Sequence, residues 1–241
     1  MAAAVDKRQR EFATGRRLAH GLLTELGVGG GPLLPGRDRA PIWPDGVVGT
    51  ISHSRAWCVV AAARGRVGAE GAGGNGGNGG NGAGGKGDGD GDGDAAHGGA
   101  RRGGAAWDAP GAAPAVRGSV RRFTSLGIDV EPATPLEAKL WRHVLLPCEQ
   151  AWLATVAQPL RGVTGKLIFS AKETVYKAIA AQLGELIGFL DVEVTVDAAG
   201  ERFHARLVDE ARAARVPRAL AGRYAVLDEG VFTAMALSTA S

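Results

Sequence analysis

Leu126-Gly127-Ile128-Asp129-Val130-Glu131 reads as a strand whose two faces differ in kind. Side chains alternate along a strand, so Asp129 and Glu131 share one face while Ile128 and Val130 share the other. Two carboxylates one pleat apart repel each other unless a proton or a cation lies between them. Further along, Phe169-Ser170-Ala171-Lys172-Glu173-Thr174-Val175-Tyr176-Lys177-Ala178 falls inside a helical pattern, with Glu173 and Lys177 one turn apart on one side. Asp129 and Glu131 from the strand and Glu173 from the helix offer a cage of hard oxygen donors. Such a cage suits Mg2+, with Mn2+ as a possible substitute, a type of ion that keeps waters and takes substrate phosphates as further ligands. Either segment alone also reads as a solvated acidic edge or a surface ion pair. Their conjunction is what points to a site.

A third stretch lies upstream: Trp43-Pro44-Asp45-Gly46-Val47-Val48-Gly49-Thr50-Ile51-Ser52-His53. Together the three resemble the motifs of the 4'-phosphopantetheinyl transferases, in particular the surfactin-synthetase-activating and enterobactin type. The resemblance covers nearly the whole chain apart from one insert. It implies an α+β fold of two pseudo-symmetric halves with the active site in the cleft between them. It also implies transfer of the 4'-phosphopantetheine arm from coenzyme A to a serine of an acyl or peptidyl carrier protein, with release of 3',5'-ADP. Two rivals stand beside it: a non-catalytic relic of the same fold that binds coenzyme or carrier protein, and another Mg2+-dependent phosphoryl-transfer enzyme. A relic has no need for Asp129, Glu131, Glu173 and Lys177 all to be present. A phosphoesterase or nucleotidyl transferase needs a motif of its own, and none is visible. A Ser-His-Asp hydrolase is set aside because Ile51-Ser52-His53 lacks a nucleophile elbow.

Composition narrows the class. The chain has 241 residues, enough for one large domain or two small halves, and a formal net charge of +3. This mildly basic balance fits a polyphosphate ligand or an acidic protein partner. No basic patch interleaved with aromatics suggests nucleic acid. Cys58 and Cys148 lack metal-ligand spacing and read as small apolar residues in a reducing compartment. With no secretory signal and no membrane span, the expectation is a cytoplasmic monomer.

The chain divides at its low-complexity segment. Residues 1–67 form the first half and 120–241 the second. Residues 68–119, with Gly-Gly-Asn repeats and a Gly-Asp alternation, cannot bury enough apolar surface to order. Asp88-Gly89-Asp90-Gly91-Asp92-Gly93 matches the opening of an EF-hand loop, but Gly99 stands where a bidentate glutamate belongs. In the resembling family more sequence precedes the Arg-Glu-Phe helix, which leaves two alternatives here: a start assigned too late, or a first half without an edge strand.

Ahead of the insert, residues 8–26 read as an amphipathic helix with Phe12, Leu18, Ala19, Leu22, Leu23 and Leu26 as its apolar stripe and Gly27 as its stop. Residues 27–45 form a Gly/Pro loop, and two short strands follow at 46–52 and 57–63. Beyond the insert, residues 136–157 are expected to be helical at both ends with Pro147 interrupting them. Thr164 is the expected N-cap of the helix that carries Glu173, with Gly184 ending it. Ile168, Ala171, Val175 and Ile179 make that helix's apolar line. Strands are expected near 190–196 and 203–208, then a hairpin over 222–238 turning at Asp228-Glu229-Gly230.

The resemblance adds roles. Arg10-Glu11-Phe12-Ala13-Thr14-Gly15-Arg16 matches the family's first helix, which implies that Arg16 and Arg17 lie near the nucleotide end of coenzyme A. Arg39, on a proline-bounded loop, matches a basic coenzyme contact. Ser52, His53 and Lys172 match phosphate contacts. Lys177 is expected to hold charge on the phosphates or on the leaving 3',5'-ADP. Glu173 is expected to take the carrier serine's proton, directly or through a metal-bound water.

Overall fold

The computed structural model describes residues 2–29, 31–36, 40–54, 57–65 and 123–238, with side chains from residue 9 onward. The Gly-rich run and Arg39 lie outside the described residues. Helix α1 (Ala2–Glu25) is followed by an antiparallel hairpin, β1 (Val47–His53) and β2 (Cys58–Arg64). Strand β3 (Phe123–Pro132) comes next. Helices α2 (Ala138–Val144), α3 (Pro147–Thr155) and α4 (Gln158–Leu183) follow in a row. Strands β4 (Val192–Asp197) and β5 (Arg202–Leu207), the short α5 (Glu210–Ala213), and strands β6 (Leu220–Val226) and β7 (Gly230–Ser238) complete the order.

The result is α+β, with one two-stranded and one five-stranded antiparallel sheet, the latter in the order β3-β7-β6-β5-β4. β3 is the first of these strands in the chain, yet it pairs with the last, β7, so Asp129 faces Thr233 across the ladder. An isolated parallel bridge between Gly65 and Phe123 sets the end of β2 beside the start of β3.

Helix α4 packs on the five-stranded sheet through the apolar line read in the sequence. Ile168, Ala171, Val175 and Ile179 are fully buried and meet Phe203, Val194, Leu220 and Met235 from the strands. Gly184 ends the helix at a φ of +66°, a conformation glycine adopts without strain. The helix starts earlier than expected. Pro159 sits in its first turn, where a missing N–H costs nothing, and Thr164 is already inside the helix, its hydroxyl donating back to the Leu160 carbonyl. Pro147 likewise opens α3 at its first position, which is why α2 and α3 are separate helices.

A smaller cluster joins α1 to the hairpin, with Ala19 and Leu23 fully buried against it. Phe12 and Leu18, expected in the same stripe, are exposed instead. Phe12 serves as the platform for the Arg16 guanidinium, which lies 4.7 Å from its ring centroid. Both cysteines are free. Among the described residues no helix is long and apolar enough to cross a membrane.

Candidate active site

One face of β3 runs antiparallel along α4 in a simple register. The Ser125 hydroxyl donates to the Ala178 carbonyl, Gly127 abuts Thr174, the Ser170 hydroxyl donates to Asp129, and Lys166 pairs with Glu131. Every two strand residues match four helix residues, since two strand steps advance about 6.6 Å and four helix steps about 6 Å. Gly127 makes this approach possible: a β-carbon there would lie 2.0 Å from the Thr174 carbonyl oxygen. The alternation read from the sequence thus turns both strand carboxylates toward the helix that carries Glu173.

Asp129 is buried, with both carboxylate oxygens accepting hydrogen bonds. Its Oδ1 accepts from the Ser52 hydroxyl at 2.8 Å and from Lys177 Nζ at 2.7 Å, and its Oδ2 accepts from the Ser170 hydroxyl at 2.8 Å. Lys177 Nζ also donates to Ser52 Oγ and to the Ile128 carbonyl, so one ammonium ties α4, β1 and β3 together. Lys166 Nζ stands 3.5 Å from Glu131 Oε2.

Glu131 and Glu173 are both held above the ordinary carboxylate range. Burial is the main cause in each. At Glu131 the charges of Asp129 and, more weakly, Glu173 add to it, while Lys166 opposes it. At Glu173 the Lys177 ammonium opposes the rise and Asp129 adds to it. These carboxylates therefore feel one another's charge, and a cation would relieve that repulsion. Hard oxygen donors in this electrostatic state fit a divalent cation such as Mg2+ in kind and charge. The side chains do not form a closed cage: among the described residues no three His, Cys, Asp or Glu side chains converge closely enough to hold a metal ion. Lys177 and the two serine hydroxyls hold Asp129 instead.

A cavity of about 450 Å³ opens between α1, β1, β3 and α4, lined by Arg16, Trp43, His53, Ser125, Tyr176 and Lys177 among others. Arg16 brings a partly buried guanidinium to its wall. Burial lowers its pKa, and its Nε has no hydrogen-bond partner among the described residues. On the other side of Glu173 and Tyr176 lies a smaller hollow of about 210 Å³, lined by Leu186, Ile187, Phe189 and Val192. Lys172, Glu173 and Tyr176 complete its wall, and most of its lining surface is apolar.

The expected coenzyme contacts separate into groups. Arg16 and His53 reach the large cavity. Arg17, next along the helix, is exposed and does not line it. Ser52 alternates with His53 along β1, so it points inward to Asp129 rather than toward a ligand. Lys172 departs furthest from its expected phosphate contact. It lies roughly 100° around the helix from Glu173 and is 2 % exposed, with Nζ donating to Glu149 Oε2 and to the carbonyls of Val144 and Phe189. Its three donors are used inside the protein, and burial lowers its pKa. Ser170, Lys166 and Thr233 were not singled out in the sequence. Only the four-residue spacing of Lys166, Ser170 and Thr174 on α4 hints that they share a face.

Comparison with known proteins gives one answer. A sequence model of the 4'-phosphopantetheinyl transferase N-terminal domain matches residues 1–63, and one of the 4'-phosphopantetheinyl transferase superfamily matches residues 125–226. The chain is 34 % identical over 209 residues to 4'-phosphopantetheinyl transferase Svp of Streptomyces mobaraensis, covering 86 % of this chain and 63 % of that protein. It is 26 % identical over 215 residues to 4'-phosphopantetheinyl transferase Npt of Nocardia iowensis (86 % and 71 % covered). It is 29 % identical over 243 residues to 4'-phosphopantetheinyl transferase PptT of Mycobacterium tuberculosis (98 % and 82 % covered). The chain thus spans just under two thirds of the length of the Streptomyces protein.

Proposed function

The chain belongs to the 4'-phosphopantetheinyl transferase superfamily, and from that premise we propose that it transfers the 4'-phosphopantetheine arm of coenzyme A to a serine of an acyl or peptidyl carrier protein, releasing 3',5'-ADP. The observation that carries this reading is the division at the turn of α4 from Glu173 to Lys177. On one side lies the cavity with Arg16, His53 and Lys177, on the other the small apolar hollow. Coenzyme A has the same division: a nucleotide end rich in phosphate, an uncharged arm, and a pyrophosphate between them. Laid across the turn, its phosphates meet the cations and its arm meets Leu186 and Phe189. The pyrophosphate then falls beside the carboxylates and Lys177.

In the reaction the carrier serine oxygen attacks the phosphorus that bears the arm. A new P–O bond forms, the bond to the 3',5'-ADP phosphate breaks, and the serine proton is lost. Glu173 suits the base's part, because its raised pKa brings it closer to the operating pH than an ordinary carboxylate. Lys177 is placed to balance charge on the leaving phosphate. Asp129, Glu131 and Glu173 would hold Mg2+, which when bound neutralises the pyrophosphate and polarises the attacked phosphorus. Arg16 and His53 hold the nucleotide end, with Arg39 as a further contact. We place the reaction in the cytoplasm, with the protein acting as a monomer on carrier domains and with no part for nucleic acid or membrane.

The test is intact-mass spectrometry of apo carrier proteins incubated with this protein, coenzyme A and Mg2+, beside an EDTA control. A metal-dependent gain of one phosphopantetheine unit is expected. Bound coenzyme A without any gain would favour a non-catalytic relic.

A further inference from the structure

Asp129 is held by a chain of hydroxyl groups that begins outside the three sequence motifs. Thr233 is its cross-strand partner on β7, yet the Thr233 hydroxyl does not touch Asp129. It reaches over to α4, where its Oγ1 lies 2.9 Å from Ser170 Oγ and 2.6 Å from Thr174 Oγ1. The Ser170 hydroxyl lies 2.8 Å from Asp129 Oδ2. All four residues are at most 4 % exposed. Each hydroxyl has one proton to give. An ionised Asp129 only accepts, so the Ser170 proton goes to Oδ2 and Ser170 Oγ is left to accept. Thr233 meets Ser170 at two points, with its hydroxyl beside Ser170 Oγ and donating to the Ser170 carbonyl at 3.1 Å, and Thr174 Oγ1 reaches both the hydroxyl and the carbonyl of Thr233. The three hydroxyls thus lock to one another and to the backbone of α4 and β7, and a satisfied network of this kind rigidifies the groups it holds.

We propose that Thr233 is a positioning residue of the carboxylate site: through Ser170 it fixes Asp129 in the orientation from which that side chain receives a divalent cation. The inference rests on the transferase reading. It accounts for a hydroxyl at a buried ladder position opposite Asp129. It also makes β7, which contributes no predicted ligand, part of the site.

The experiment measures Mn2+ binding to the whole protein directly, by the loss of the free-ion paramagnetic resonance signal. Wild type, Thr233→Val, Thr233→Ser, Ser170→Ala and the Thr233→Val/Ser170→Ala double variant are compared, with thermal midpoints recorded for each. Loss of a hydrogen-bonding partner behind a metal ligand weakens metal binding by about 10- to 100-fold. Thr233→Val is expected in that range, with Thr233→Ser close to wild type. The double variant is expected to bind no more weakly than Ser170→Ala alone, because Thr233 acts through Ser170. Thr233→Val with wild-type Mn2+ affinity overturns the inference, whatever its thermal midpoint, and so does an additive double variant. Should Thr233→Val fail to fold, Thr174→Val removes the far hydroxyl of the same network. A loss of about twofold to tenfold is then expected, the equivalent of one ordinary hydrogen bond, and no loss overturns the proposal. Wild-type protein that transfers no phosphopantetheine sinks the transferase reading. Wild type that transfers, beside an unchanged Thr233→Val, sinks this inference alone.

Discussion

Gly127 and the carbonyl of Thr174 stand so close that a β-carbon on residue 127 would lie 2.0 Å from the oxygen. The contact is with helix backbone, not with a side chain that could turn away. Gly127→Ala must therefore push β3 off α4 and disturb the register that brings Asp129 to Ser170 and Glu131 to Lys166. Overpacking of this kind costs about 1–3 kcal/mol. The expected outcome is a urea midpoint lowered accordingly, together with weaker metal binding. A variant of unchanged stability would show that strand and helix are not in this contact.

Glu173→Gln keeps shape and removes the base and one carboxylate donor. Turnover is expected to fall by about 100- to 10,000-fold, the usual contribution of a positioned general base. Stability is not expected to fall, because the charge removed is one that burial and Asp129 both disfavour. Single-turnover transfer to a carrier protein, with the thermal midpoint measured alongside, checks both halves. Near-normal transfer in this variant removes Glu173 from the mechanism.

The raised pKa values of Glu131 and Glu173 give the metal-free protein a pH dependence of definite sign. An acid whose pKa is higher folded than unfolded binds more protons in the folded state between the two values, so stability falls as pH rises through that window. The window starts at the ordinary carboxylate range and extends upward. Denaturation in EDTA is expected to show wild type losing stability across it, and Glu131→Gln/Glu173→Gln losing less. Saturating Mg2+ is expected to flatten the wild-type curve by favouring the charged forms. A double variant that loses as much stability as wild type would place the dependence elsewhere.

Arg16 and Arg17 are neighbours that the structure assigns to different surroundings. Arg16 lines the large cavity with an Nε that has no hydrogen-bond partner among the described residues, whereas Arg17 is exposed and away from it. A hydrogen bond from a charged donor contributes about 1.5–3 kcal/mol, so Arg16→Ala is expected to weaken coenzyme A binding by about tenfold or more. Arg17→Ala is expected to leave it unchanged. Calorimetric titration of coenzyme A into both variants makes the comparison, and equal effects would show that the helix acts only through its overall charge.

The legible parts of the site are those governed by local periodicity. Alternation along β3 placed Asp129 and Glu131 on one face, and four-residue spacing put Ile168, Ala171, Val175 and Ile179 into the core. The same rules left three matters open. Periodicity gives a residue's face but not its neighbour, so Lys172 was read toward a phosphate although Glu149 awaited it. Along β1 the choice between Ser52 and His53 depends on where β3 lies, which is a long-range fact. Thr233 is an unremarkable hydroxyl in a strand until antiparallel pairing brings the last strand against the first of its sheet.

Lys172 yields the sharpest contrast between its expected and observed roles. Its ammonium and the Glu149 carboxylate are 2.7 Å apart, with side chains 1 % and 2 % exposed, and Glu149 also accepts from the backbone N–H groups of Leu146 and Val194. The pair joins α3, α4 and β4 beneath the apolar hollow. Removing one partner of a buried ion pair leaves an uncompensated charge and costs about 3–5 kcal/mol. Lys172→Met is therefore expected to lose most of its stability, and Lys172→Met/Glu149→Leu to regain part of it. Complete recovery is not expected, because Leu146 and Val194 then lose their acceptor. A phosphate contact would behave in the opposite way, with Lys172→Met folding normally and binding coenzyme A more weakly. Denaturation and coenzyme titration on the same two variants decide between these roles.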